Sequence, residues 1–350
     1  MATEFNSDPD LSYDPSYLQE KLVHHYRSLL SQFKKITRSF VLFNVSLISL
    51  FILEVIAFLV FFTFFTQSSV LAFSLGGLFL TCFSYFVLLF YFQAKKPDQL
   101  MQLKNQFIHS CGRSIALPDG DPEQHLSIAH ASMRLVAYFE SFEKGYYKSP
   151  LRKFQPFFEK LSTYAHWQDV FKIREMLLTA AIDEHIQQIR FTPTDIEVHT
   201  SIAGAYVALS KLYLDYQELL EQFPQRSKYK RLHATLGQKF RFAAERAIEE
   251  FKILNDYAPN DPWIHSQLAT SYHDLQMPEE EIREYETIIK LRPQDKDILF
   301  RLGVLYFEQG HNAKGLQVYE ELCHANYKKA EHLIAFYGST NFQDTLEELY

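Results

Sequence analysis

Two long apolar runs near the N-terminus, residues 40–65 and 70–92, constrain this chain more than any other feature. Across residues 40–92 the only charged side chain is Glu54. A helix needs about 20 apolar residues to cross a hydrocarbon core, and each run is that long. Thr66, Gln67, Ser68 and Ser69 separate the runs and read as a turn. The pattern predicts a transmembrane helical hairpin that tethers a large polar region. A cleavable signal peptide does not fit, because a long, mostly polar segment comes first and the apolar run exceeds a signal core. A pair of buried core helices does not fit either, since soluble helices rarely run so far without a charge.

Orientation follows from the flanks. Lys34, Lys35 and Arg38 precede the first run, and Lys95 and Lys96 follow the second. Cytoplasmic flanks carry the excess of Lys and Arg, so both termini are expected on the cytoplasmic side. The three cysteines, Cys82, Cys111 and Cys323, suggest no disulfide framework and suit a reducing compartment. The formal charge of −7 disfavours nucleic acid as a partner, because phosphate contacts need a basic face.

Before the hairpin, residues 1–16 carry prolines and acids without apolar periodicity and are expected to be a disordered tail. From Tyr17 the pattern changes. Leu22, Tyr26, Leu29, Phe33 and Ile36 alternate at steps of four and three, which predicts an amphipathic helix over 17–39 that lies on the membrane, packs on the polar region, or runs on into the first span. In the second run Ala72, Gly76 and Gly77 form a small-residue face. Such a face permits close helix approach, first to the other half of the hairpin and secondarily to another copy of the chain. Glu54 is costly in hydrocarbon, so it is either a functional site or a carboxyl satisfied by Thr81, Ser84 or water.

The polar region reads as helical throughout. Candidate helices are 123–140, 151–163, 167–190, 195–221, 229–257, 263–274, 279–291, 296–309 and 312–325, with closing helices at 328–337 and 341–349. At a 34-residue period, Leu268, Ala269, Tyr272, Tyr285 and Ile288 of one unit align with Leu302, Gly303, Tyr306, Tyr319 and Leu322 of the next, and Pro293 ends the second helix of the first unit. Gly315 supplies a second small residue. Over residues 262–327 this resembles the tetratricopeptide repeat, with a degenerate match over 162–261 through Ala247, Phe251, Leu254 and the fragment His199, Ile202, Ala203 and Tyr206. No match is seen over 97–160, where helices of unassigned packing are expected. The fold expected is therefore all-α: a two-helix transmembrane hairpin followed by a tetratricopeptide-like α-solenoid, with 328–350 as a cap.

The resemblance implies protein or peptide recognition along a groove lined by first helices. It assigns that lining to Trp263, Ser266, Thr270, His273 and Asp274 in one unit, and to Asp297, Phe300, Val304, Phe307 and Glu308 in the next. The Lys and Asn clamp for a C-terminal carboxylate is missing from this set. No glycine-rich phosphate loop, Gly-x-Ser-x-Gly or His-Glu-x-x-His occurs, so neither catalysis nor a cofactor is expected. His24 and His25 point to different helix faces, as do His125 and His130, so no metal site is expected. The two closely spaced runs also resemble the hairpin of chlamydial inclusion membrane proteins. That likeness implies a secreted bacterial effector seated in a host-derived membrane, as an alternative to a resident scaffold or a transport or sensor subunit using Glu54.

Overall fold

The computed structural model describes residues 15–61, 68–115, 121–140, 142–143, 146, 155–222 and 226–338. Residues 1–14 of the expected tail, Thr66 and Gln67 of the turn, and the closing helix expected at 341–349 lie outside them. All regular structure among the described residues is helical. Two compact units divide the chain, Met1–Glu184 and His185–Tyr350.

The first unit opens with α1 (Pro15–Phe61) and α2 (Ser68–Ser114), each of 47 residues. The amphipathic segment and the first apolar run, as far as Phe61, are thus one continuous helix, and residues 62–65 of that run lie outside the described residues. The second run likewise continues past Pro97 to Ser114. That proline has no N–H to donate to the Gln93 carbonyl, but the helix closes around it. The hairpin has two storeys. In the polar storey Leu22, Tyr26, Leu29 and Phe33 are buried, as are Leu100, Leu103, Phe107 and Cys111. The Tyr26 and Phe107 rings lie 6.0 Å apart, and His25 bonds to Ser114 at 2.8 Å. Ile36, the fifth member of the expected face, is only half-buried.

In the apolar storey large side chains face outward. Both helices are long and apolar enough to cross a membrane, with mean hydropathy of 2.4 and 2.0 over their most apolar stretches and no residue of either stretch buried. Within this chain the two apolar stretches do not form a buried core pair.

Helix α3 (Pro122–Tyr138) packs on α2, where Gln124 donates to the Gly112 carbonyl at 3.4 Å. Phe139 and Phe142 then meet Phe33 edge-on at 5.0 and 5.7 Å. Helix α4 (Gln155–Phe191) is a single helix of 37 residues where the sequence pattern suggested two. Neither Gly nor Pro interrupts it between Pro156 and Pro193, so nothing enforces a break. The boundary between the two units falls within α4.

The second unit continues with α5 (Ile196–Glu221), α6 (Arg226–Tyr257), α7 (Pro262–Asp274), α8 (Pro278–Leu291), α9 (Lys296–Glu308) and α10 (Asn312–His324). A short α11 (Ala330–Leu333) and a 3₁₀ turn, Ile334–Phe336, follow. Asp195, Asp261 and Asp295 cap α5, α7 and α9, each accepting a backbone N–H within the first turn. Such a cap contributes about 1 kcal/mol. The turns inside the last two helix pairs each place one residue in the left-handed region, Gln276 (φ 57°) and Gly310 (φ 75°). The two positions are equivalent in the repeat, and glycine adopts that conformation without strain.

The helix pairs form a tetratricopeptide-like solenoid with a continuous core. Ala203, Ala247, Phe251 and Leu254 share one cluster with Leu268 and Tyr272 of α7. Ala269 of the same helix joins the next cluster with Tyr285, Ile288, Leu302, Tyr306 and Leu322. Small residues mark the closest approaches. A Cβ at Gly315 would stand 2.5 Å from Phe307, and one at Gly303 would stand 2.8 Å from both Val318 and Leu333.

Gly315→Ala should therefore cost about 1–3 kcal/mol, because the ring above it is itself confined. Urea unfolding of the full chain tests this. An unchanged midpoint would show that Phe307 moves aside freely.

Candidate functional site

The first helices share a local signature that extends further than the 34-residue period suggests. An N-capping Asp is followed four residues later by His or Leu, and then by an aliphatic residue and a small one. The sets are Asp121, His125, Ile128, Ala129; Asp195, His199, Ile202, Ala203; Asp261, His265, Leu268, Ala269; and Asp295, Leu299, Leu302, Gly303. The three alanines are all fully buried. A fixed 34-residue period passes over the first of these sets and puts the second out of phase, because α4 and α6 are far longer than a standard second helix. The Asp–x–x–x–His spacing would have found both.

The histidines have a structural task. His199 Nε2 bonds to the Pro193 carbonyl at 3.0 Å, while Nδ1 lies 2.7 Å from Glu250. His265 repeats this with Pro259 at 3.0 Å and Glu284 at 2.6 Å. His125 meets Glu184 at 2.6 Å in the first unit. Each ring thus ties the start of one helix to a carboxylate on a following helix. Burial pushes the His199 pKa down, but the Glu250 hydrogen bond, the Pro193 carbonyl and the charges of Glu250 and Asp195 outweigh it and hold the pKa above the usual 6.5.

The residues expected to line a groove divide sharply. Trp263, Ser266, Thr270, His273 and Asp274 form one stripe on α7, and Trp263 is 47% exposed with its ring edge-on to Phe251 at 6.1 Å. Thr270 is exposed and donates to the Ser266 carbonyl. His273 is exposed but reaches Glu281 at 3.1 Å. Glu281 is buried where the repeat normally has a small residue, and desolvation raises its carboxyl pKa against the pull of His273 and Arg301.

On α9 the equivalent stripe is covered only in its apolar part, and Asp297 and Glu308 at its two ends stay exposed. Asp297 accepts the Tyr327 hydroxyl at 2.5 Å, and Phe300 lies 6.0 Å from the Tyr327 ring. Phe300 and Val304 are half-buried against the core. Phe307 has no exposed surface and packs on Gly315 and Tyr337. Phe307 is therefore a core residue, not an accessible anchor. Tyr327, Ala330, Leu333 and Phe336, which follow α10, pack back onto the core of the last helix pair.

In the apolar storey the polar residues meet along the seam between α1 and α2. Thr81 donates to Glu54 at 3.0 Å, and Tyr85 donates to Asn44 at 3.1 Å. The small-residue face does not take part. Ala72, Gly76 and Gly77 are exposed, and a Cβ on either glycine would meet nothing within 4 Å. The expected close approach of this face to the first run is thus not formed, because the seam passes through Ser74, Leu78, Thr81 and Tyr85 instead.

Below the apolar storey Lys96 forms an ion pair with Asp169 at 2.6 Å and stands 4.2 Å above the Phe40 ring. Burial and the nearby Lys96 charge lower the His166 pKa to about 4. Its ring lies 4.1 Å from that of Tyr146.

No protein family and no curated protein matches this chain. Among solved structures, a monomeric mutant of IFIT1 with Gppp-AAAA is 12% identical at a TM-score of 0.33, covering 70% of this chain and 61% of that one. The human IFIT1 dimer with m7Gppp-AAAA is 12% identical at 0.30, covering 67% and 59%. The chain thus spans about three fifths of the length of these structures. Scores this low carry no functional inference, and the class of fold rests on the helix pairs themselves.

Two predictions follow from the buried rings. His199 favours the protonated form in the native state, so its stabilisation is present below pH 6.5 and is lost as pH rises through its raised pKa. His166 is held neutral, so its stabilisation is present above pH 6.5 and is lost as pH falls towards about 4. NMR titration of the two imidazoles should give midpoints on opposite sides of 6.5. The reverse order would contradict both environments. Phe307→Ala should cost about 3–5 kcal/mol, as truncation of a buried aromatic does, and a melting temperature close to that of the parent would return it to the surface.

Proposed function

We propose that the protein is a membrane-anchored helical-repeat scaffold that binds a protein or peptide partner on the cytoplasmic side and performs no catalysis. The observation that carries this reading is the outward-facing apolar storey, continuous in sequence with a polar helical region. Leu42, Leu53, Leu59, Phe73 and Phe79 are all exposed there, a surface that water does not tolerate and hydrocarbon does. The seam hydrogen bonds support it, since paired polar groups hold helices together in lipid. Glu54 then bridges the two spans through Thr81, which bonds one of its oxygens.

The partner surface is the α7 stripe of Trp263, Ser266, Thr270 and His273, bordered by Asp297. An exposed tryptophan beside small polar groups is a common anchor for a peptide or helix. The net charge of −7 favours a protein partner over nucleic acid.

Reporters fused to the two ends of the chain should both lie on the cytoplasmic side, as the cationic flanks require. Opposite sides would mean that only one run crosses. Trp263→Ala should weaken partner capture by about 1–3 kcal/mol while leaving thermal stability nearly unchanged. Capture unaffected by this change would remove the α7 stripe as the binding surface.

A further inference from the structure

An open groove of about 690 Å³ in the first unit lies where the polar storey of α1 gives way to the apolar one. Its lining follows one face of α1: Lys34 and Arg38, then Val41, Leu42 and Val45. Phe142 and Tyr146 close the opposite side. The Lys34 ammonium sits 5.4 Å from the centre of the Phe142 ring, at the polar end of the groove. The Tyr146 hydroxyl bonds to the Lys34 carbonyl and to Thr37, both at 3.1 Å, which fixes that wall. Lys34 and Arg38 are exposed, as are Leu42 and Val45.

We propose that this groove binds an anionic glycerophospholipid, with the headgroup phosphate on Lys34 and Arg38 and an acyl chain along Val41, Leu42 and Val45. The polarity order along α1 carries the assignment. Cations come first and apolar side chains follow, over a rise of roughly 16 Å at 1.5 Å per residue. A phospholipid has the same order over a comparable length, from phosphate through glycerol to the upper acyl chain. A soluble phosphate would use only the cationic end and would leave the apolar wall uncovered.

Charge selects among lipids. Glu140 also lines the groove, so its titratable side chains sum to one positive charge, which matches a monoanionic headgroup rather than a polyphosphorylated one.

This site rests on the reading that the hairpin lies in a bilayer, and the test separates the two. The full chain is extracted in mild detergent from membranes holding phosphatidylglycerol and phosphatidylcholine, and the retained lipids are weighed by native mass spectrometry. Parent protein should retain phosphatidylglycerol in preference. Lys34→Gln/Arg38→Gln should lose that preference by roughly 30-fold, which corresponds to about 1 kcal/mol per cation. Arg38→Gln alone should lose a smaller part, and millimolar inorganic phosphate should not displace the lipid. Melting temperatures should match the parent, since both side chains are exposed.

A chain absent from the membrane fraction would overturn the anchor itself. A chain that is inserted but retains both lipids equally, or keeps its preference in the double variant, would overturn the groove alone. Displacement by phosphate would overturn the choice of a lipid.

Discussion

Two helices can lie close together only where one of them presents almost no side chain, and the repeat unit is organised around such points. Ala203, Ala269 and Gly303 occupy the same place on successive first helices, and each is buried. The aromatic and aliphatic side chains around them are core because the backbones have already approached. Phe307 illustrates the dependence. Its ring lies over Gly315 and fills the space that a larger residue would claim. On α8 the equivalent position holds Glu281, and the resulting buried carboxyl draws His273 and Arg301 towards it. A charged substitute at a packing position thus dictates what two neighbouring surface residues do.

The hairpin solves helix association by other means. Its outward faces are almost wholly apolar, so apolar contact alone does not select one face of either helix over another. Polar pairs along the seam supply the distinction, with Asn44 against Tyr85 and Glu54 against Thr81. The glycines lie off this seam, which leaves their face uncovered. The same two helices become ordinary amphipathic partners in the polar storey, where Tyr26 meets Phe107.

Histidine answers to its surroundings in opposite ways. Beside Glu250 and the Pro193 carbonyl, His199 is surrounded by acceptors and gains from a proton. Beside Lys96 and in a buried setting, His166 gains from losing one. Neither environment follows from the residue type, and both follow from which helix end or cation lies next to the ring.

The sequence by itself determined the helical class, the apolar hairpin and the phase of the last two repeats. Those signals are local: an apolar run of sufficient length, a 3.6-residue periodicity, and small and aromatic residues recurring along the chain. The buried positions Leu268, Ala269, Tyr272, Leu302, Tyr306 and Leu322 were all legible on that basis. The tertiary structure alone decided which surfaces remain open. Phe307 occupies the stripe position that His273 holds in the preceding unit, yet it is buried against Gly315 and Tyr337 while His273 and Trp263 stay exposed. It also decided that Gly76 and Gly77 face away from the seam, that α4 continues unbroken, and that cations and apolar residues of α1 line one groove with Phe142 and Tyr146. Each of these depends on contacts between residues distant in sequence, which no periodicity encodes.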